Sequence, residues 1–435
     1  MTLKQYENYK PSGVEWLGEI PENWEILRVK DILNVFVPQR DKPQLGDNGF
    51  AWVTLEYLKG GVLNLNEVVF AVSKEEIIDK KIRLVPTFSV LASCVGEFSI
   101  TAINLKPVVI NQQIQAFTNF KKLNIYFFNY KIQSSVYKSY YNSIASETTL
   151  KYLNKDKFLL TPILFPLLSE QKEIAHYLDQ KTTAIDRKID LLEKKIDRYQ
   201  ALRKSLINET VCRGLDKSVK LKESGIEWIG QVPEHWEVKR LKDISKNMSS
   251  GATPLTQIGE YYEDGIVNWV NTGDLNDGVI EKCQHKISQK AIDDYPNLRL
   301  NKKGTLLVAM YGATIGKIGI LNIEATTNQA CCCINLKKDY FENYIFYWFL
   351  ANKSHIISLS VGGTQPNISQ GIIGKLLIFM PTSKKEQIEI ANYLEIQTKK
   401  IDNVISNIKT QIEVLKELRK TLINDVVTGK IRVNN

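Results

Sequence analysis

The sequence predicts an α+β protein made by internal duplication. Two mixed α/β domains with twisted sheets are separated by two long helices that form an antiparallel coiled coil with pseudo-two-fold symmetry. The first observation behind this is residues 169–209, which contain no Pro and no Gly. Here Thr182, Ile185, Ile189, Leu192, Ile196, Tyr199, Arg203 and Leu206 step by alternating three and four residues, the seam of a coiled coil. The second is the return of that stripe, 216 residues later, as Thr398, Ile401, Ile405, Ile408, Ile412, Leu415, Arg419 and Leu422. The third is a head motif, SGVEWLGEIPENWEILRVKDI at residues 12–32, which returns 212 residues later as SGIEWIGQVPEHWEVKRLKDI with 13 of 21 positions identical. Similar offsets at both ends give a repeated unit of head motif, globular domain and long helix.

In chain order the expected segments are a first globular domain at 1–165, a long helix with its linker at 166–222, a second domain at 223–380 and a second long helix at 381–435. In each head, Gly18 with Pro21 and Gly230 with Pro233 mark tight turns. Trp16, Trp24, Trp228 and Trp236 are large anchors suited to clamp the loop onto its domain or onto a helix end. Because both copies keep them, a shared structural job outweighs base stacking. Between head and helix the copies diverge, with echoes at 91–96 against 307–312, at Asn111-Gln112 against Asn328-Gln329, and at Thr148 against Thr364. Short β-rich runs such as 305–310 alternate with Gly, Asn and Asp turns, and a helix is expected at 341–352. Each helix of about 40 residues is about 60 Å long, and so narrow an apolar stripe over that length calls for a helical partner.

Composition bounds the class. A chain of 435 residues exceeds one core, and 43% hydrophobic with 24% charged residues is a globular balance. No apolar run approaches the ~20 residues of a membrane span, and the first ten residues, MTLKQYENYK, carry no apolar signal segment. A cytoplasmic protein without membrane contact is expected. Six unpaired-looking cysteines fit a reducing compartment. Cys331, Cys332 and Cys333 are adjacent in a strand-like run, where neighbours point to opposite faces, so they read as core and not as a metal grip. The net charge of +9 is spread as +3, +4, −1 and +3 over residues 1–165, 166–222, 223–381 and 382–435, which permits nucleic-acid binding through local patches without demanding it.

Two similar domains set apart by paired helices have the geometry of a dimeric DNA reader built from one chain, with two half-sites along a duplex. The sequence resembles the specificity subunit of type I restriction–modification systems over essentially its whole length. The carriers are SGVEWLGEIPENWE and SGIEWIGQVPEHWE, SEQKEIAHYLDQKTTAID and KEQIEIANYLEIQTKKID opening the helices, WVNTGDLNDG at 269–278, GATIGK at 312–317 and GGTQPNIS at 362–369. The resemblance implies that each domain is a target recognition domain reading one half of a split double-stranded DNA target. It implies that the helices set the spacing and dock two modification subunits. Those would use S-adenosylmethionine to methylate adenine, while motor-nuclease restriction subunits use ATP and magnesium. No cofactor and no metal are expected in this chain, and no catalysis.

The residues agree with that last expectation. GATIGK has three residues between its glycines and Ile318 after Lys317, which fails as a phosphate loop. There is no Pro-Pro, as the adenine methyltransferase motif would need, and no H-E-x-x-H. Glu237-Val238-Lys239 lacks a well-spaced acidic partner, and the first copy has Leu27 where Lys239 stands. His176 and His235 become Asn392 and Asn23 in the other copy. The alternative function is a coiled-coil adaptor that bridges protein partners without reading sequence.

If the two domains read different half-sites, shared residues are scaffold and differing residues at equivalent places are readers. Asn111 and Asn328, being shared, are expected to tie a turn. The expected DNA contacts are Gln39, Arg40, Lys42, Gln44, Lys106, Gln113 and Lys151 in the first half, and Thr253, Thr256, Gln257, Lys317, Gln365 and Asn367 in the second. Arg and Lys suit guanine edges or phosphates, and Gln and Asn suit adenine.

Overall fold

The computed structural model describes residues 4–147, 150–226, 228–362 and 366–433. The chain forms two compact units, Met1–Glu193 with Lys409–Asn435, and Lys194–Ile408. Each unit thus takes a portion of both long helices, Leu168–Arg213 and Lys384–Val427.

In the first unit an antiparallel sheet runs in the order Asn34–Phe36, Ile114–Thr118, Ser89–Ser93, Thr101–Asn104. A smaller sheet joins Ala71–Val72, Phe50–Val53 and Val109–Ile110, the last pair parallel. The helix Ile125–Gln133 packs on the larger sheet, with the Thr101 hydroxyl donating to Asn129 at 2.7 Å. Strand Pro162–Phe165 pairs with Glu25–Arg28 of the head and delivers the chain to the first long helix. The second unit repeats the plan. Its larger sheet orders Ser245–Ser250, Cys331–Leu336, Leu306–Ala309, Ile318–Leu321 and Gly278–Ile280. His285–Ile287, Val267–Val270 and Thr326–Thr327 form the smaller one, and the expected helix lies at Glu342–Ala351.

The duplication extends to single hydrogen bonds. Ser12 Oγ and Ser224 Oγ each accept from the N–H two residues on, at 3.1 Å, while their backbone N–H groups donate to Gly18 and Gly230 carbonyls at 2.9 Å. Gly18 and Gly230 sit at φ +64° and +70°, where a side chain is strained. Trp24 and Trp236 are fully buried. Trp16 stacks on Tyr140 at 4.3 Å and Trp228 on His355 at 3.9 Å, the clamping role that their repetition implied. At the helix starts, the buried amides of Gln171 and Gln387 stitch helix to domain. Gln171 accepts from Asn124 N at 2.8 Å and donates to Pro166 O, and Gln387 accepts from Phe341 N at 3.0 Å and donates to Pro381 O.

The helical stripe is as expected. Ile185, Ile189, Leu192, Ile196, Tyr199 and Leu206 are half-buried, Leu415 likewise, and Ile401, Ile405, Ile408, Ile412 and Leu422 are buried. In the first unit the opening turns of the first helix (Ile174, Ala175, Leu178) share a core with the closing turns of the second (Leu422, Ile423, Val426). In the second unit the closing turns of the first helix (Ile207, Val211) share a core with the opening turns of the second (Ile390, Ala391, Leu394). Both packings are antiparallel. Arg419 Nε meets Asp186 at 2.9 Å in one unit, and Arg203 Nε meets Asp402 at 3.0 Å in the other. These are the same two helix positions with the helices' roles exchanged. The cysteine run alternates as its strand requires. Cys332 enters one core and Cys331 and Cys333 another.

Candidate nucleic-acid interface

Each larger sheet ends in a cluster of loops built on shared backbone pairing. In the first unit, Cys94 N donates to Gln113 O, Gly96 N to Lys151 O and Leu153 N to Cys94 O, each at 2.8 Å. In the second, Met310 N donates to Ala330 O at 2.9 Å, Gly312 N to Pro366 O at 3.1 Å and Ile368 N to Met310 O at 2.9 Å. Three segments far apart in sequence therefore converge at one end of each sheet. Asn111 and Asn328 tie the middle segment, accepting from Gln113 N at 3.1 Å and Ala330 N at 3.2 Å, as their identity in the two copies implied.

On this frame the side chains differ. Gln113 is exposed and accepts from Asn111 Nδ2 at 3.2 Å. Lys151 is half-buried beside exposed Tyr152. In the second unit the GATIGK segment is a tight loop, not a phosphate cradle: its Gly312–Thr314 turn is closed by Thr314 Oγ1 donating to Tyr311 O at 3.1 Å and by Gly316 N donating to Ala309 O at 3.0 Å. The loop carries half-buried Lys317 and the Tyr311 ring, 45% exposed. Asn367 is exposed, with its backbone bridged to Tyr311 and Val361. Thr253 donates to the Gln329 side chain. Thr256 and Gln257 are exposed on the same loop, which is held by Tyr295 OH accepting from Leu255 N at 3.1 Å and Tyr262 OH donating to Pro254 O at 2.6 Å. Gln365 lies outside the described residues.

Three first-half residues lie outside this cluster or are engaged elsewhere. Lys106 follows Asn104, which pairs with Ser89 at the opposite end of the sheet from Gln113; nearness in sequence to Asn111 hid the intervening strand. Gln39 is exposed, but its amide nitrogen already donates to Lys81 O at 3.1 Å and Lys80 O at 3.3 Å. Gln44 sits beside the Lys74–Asp79 helix, its backbone N–H donating to Glu76 at 2.8 Å. Arg40 and Lys42 remain exposed on that loop.

The sequence reading missed Asp277. Its backbone is held at φ +57°. One carboxylate oxygen accepts from Ile318 N at 3.1 Å and the other from Lys353 Nζ at 2.6 Å, so it fixes the exit of the 312–317 loop against the helix Lys353–Ser358. A non-glycine residue at positive φ is visible only once the turn is built.

Among the described residues no three His, Cys, Asp or Glu side chains gather to hold an ion. Burial pushes the Cys94 and Cys333 thiols up to about 11 and raises Cys331 and Cys332 as well, the opposite of an activated thiol. Among the described residues no helix is long and apolar enough to cross a membrane.

The family model described as the type I restriction modification DNA specificity domain matches residues 21–198 and again residues 233–414. The chain belongs to that family. The two family matches begin 212 and end 216 residues apart, reproducing the offsets of the head motif and the helical stripe. Among similar proteins, the type I restriction enzyme MjaVIII specificity subunit of Methanocaldococcus jannaschii is 24% identical, spanning 100% of this chain and 98% of that protein. The EcoBI specificity subunit of Escherichia coli is 26% identical over 56% of this chain and 52% of its own length. Of solved structures, a chain from work on assembly and conformational transition of the type I R-M system has a TM-score of 0.73 at 12% identity, covering 94% of this chain and 98% of that chain. The HsdS subunit from Thermoanaerobacter tengcongensis has a TM-score of 0.56 at 13% identity, with the same coverage. At those identities the likeness is one of fold.

Proposed function

We infer that this chain is the DNA-specificity subunit of a type I restriction–modification complex. Each domain reads one half of a split target, and the paired helices fix the distance between the two readings. The observation that carries this is the pair of family matches, one per half, laid on two sheet ends with the same backbone frame and different exposed side chains. The chain does no chemistry itself. Partner subunits supply it: two modification subunits holding S-adenosylmethionine, and restriction subunits using ATP and magnesium, in the cytoplasm. Methylation of an adenine near each half-site requires that base to leave the stack for the partner's pocket. The adaptor reading is not favoured, since it gives no reason for DNA specificity domains in both halves.

The test is a methylome. The chain is co-expressed with a modification subunit in a host without other adenine methylation, and modified adenines are mapped by single-molecule sequencing. One split motif, absent when this chain is omitted, is expected. A stable complex that leaves the genome unmethylated contradicts the reading.

A further inference from the structure

The two units differ at the margin of their smaller sheets. In the smaller sheets, Trp52 and Trp269 are equivalent: Val53 pairs with Ile110, Val270 with Thr327, and Asn111 N and Asn328 N both donate at 3.1 Å to the carbonyls of Val53 and Val270. Opposite Trp52 stands Phe70, whose carbonyl accepts from Trp52 N at 2.8 Å, and opposite Trp269 stands His285. The residues at this edge are therefore Val69-Phe70 in one unit and Gln284-His285 in the other. Gln284 and His285 are exposed polar side chains, as an edge next to solvent calls for. Val69 and Phe70 are exposed too, at 66% and 49%.

Both backbones are rigidly placed. Val69 N donates to Tyr57 OH at 3.4 Å, and Ala71, just after the pair, exchanges two hydrogen bonds with Gly46 at 2.8 and 2.9 Å. One strand, Phe50–Val53, separates the pair from Val109–Ile110 and from the Asn111 turn that carries exposed Gln113. Two side chains are too few for a protein-docking patch of several hundred Å². They suffice to cover a thymine methyl group, the one apolar feature a base pair presents in the major groove.

We propose that Val69 and Phe70 are specificity-determining contacts of the first recognition domain, reading the 5-methyl of thymine in its half-site, where the second domain presents Gln284 and His285 to base edges. This rests on the DNA-specificity reading given above and names the chemistry one half of it uses.

The test uses the chain assembled with its modification subunit and duplexes bearing its own target. Each thymine of the half-site assigned to residues 12–165 is replaced in turn by deoxyuridine, which lacks only the methyl. At one or two positions affinity is expected to fall about three- to fourfold per methyl, with an unchanged salt slope. The Val69→Ala, Phe70→Ala double variant should bind the unmodified duplex correspondingly more weakly and no longer distinguish thymine from deoxyuridine. Both side chains lie outside the packed cores, so folding is spared; circular dichroism checks it. Deoxyuridine without effect at every position overturns the proposal, as does a double variant that keeps the full discrimination. A complex with no sequence preference at all overturns the DNA-specificity reading itself, and with it this inference.

Discussion

Trp24 and Trp236 fill the same place in the two copies, yet their indole nitrogens have opposite fates. Trp236 Nε1 donates to Glu386 Oε1 at 3.0 Å. In the first copy the equivalent carboxylate, Glu170, is taken by the Tyr6 hydroxyl at 2.6 Å, and Trp24 Nε1 is buried without a hydrogen-bond partner among the described residues. Replacing either tryptophan by phenylalanine removes the same volume from a fully buried site, so the cavity cost is common to both. What differs is the polar group. Trp236→Phe gives up a hydrogen bond to a carboxylate, worth about 1.5–3 kcal/mol, whereas Trp24→Phe relieves a buried unpaired N–H that costs about 1–3 kcal/mol. Glu386 is 29% exposed at its side chain, and water repays part of its loss. Trp236→Phe should therefore be the more destabilising by about 2–4 kcal/mol. Urea unfolding of the full chain followed by circular dichroism, with amide exchange resolved by peptide for each unit, measures this. Equal losses, or a larger one for Trp24→Phe, would refute the reasoning.

Lys131 is fully buried; its ammonium donates to the Leu164 carbonyl and lies 4.2 Å from the centre of the Phe127 ring. Burial holds its pKa well below the ordinary lysine value, so between the lowered folded pKa and the ordinary one the unfolded chain binds the extra proton. This group makes stability rise with pH across that window. Lys131→Met should flatten the rise in a pH series of urea midpoints, and an unaltered slope would show that the lysine does not titrate as described. On the helical seam, Ile408→Ala, at a residue 4% exposed, should cost about 2–4 kcal/mol. Exposed Lys188→Ala on the first helix should change stability by no more than about 0.5 kcal/mol, and similar costs for the two would deny the seam. Lys317→Ala should weaken DNA binding and lower the slope of log affinity against log salt by about 0.9 if its ammonium meets a phosphate; an unchanged slope removes it from the contact set.

Long-period features were legible in the sequence because they repeat. The stripe from Ile185 to Leu206 and its copy from Ile401 to Leu422 announce themselves by spacing, and the head motif by near-identity. The Asn111 and Asn328 turns, which both copies keep, tie the same loop in each unit. What the sequence concealed are contacts between strands that are distant in the chain. Nothing near Lys106 reveals that a sheet crossing carries it away from Gln113. Nothing near Lys151 reveals that its carbonyl pairs with Gly96. Gln39 looked free until the carbonyls of Lys80 and Lys81 were placed beside it. Val69 and Phe70 do not stand out in the sequence, because an exposed apolar side chain and a buried one have the same sequence signature. Asp277 stands in a turn-like stretch whose left-handed backbone no local pattern requires.

The central claim is that each half reads its own half-site. The most direct measurement exchanges residues 12–165 for the corresponding domain of another specificity subunit with a different target, and maps the methylated motif of the hybrid. The expected result is a split motif in which one half changes while the other half and the gap between them stay as they were. A hybrid that stays assembled with its modification subunit yet keeps both halves of the original motif, or alters both together, would contradict the account.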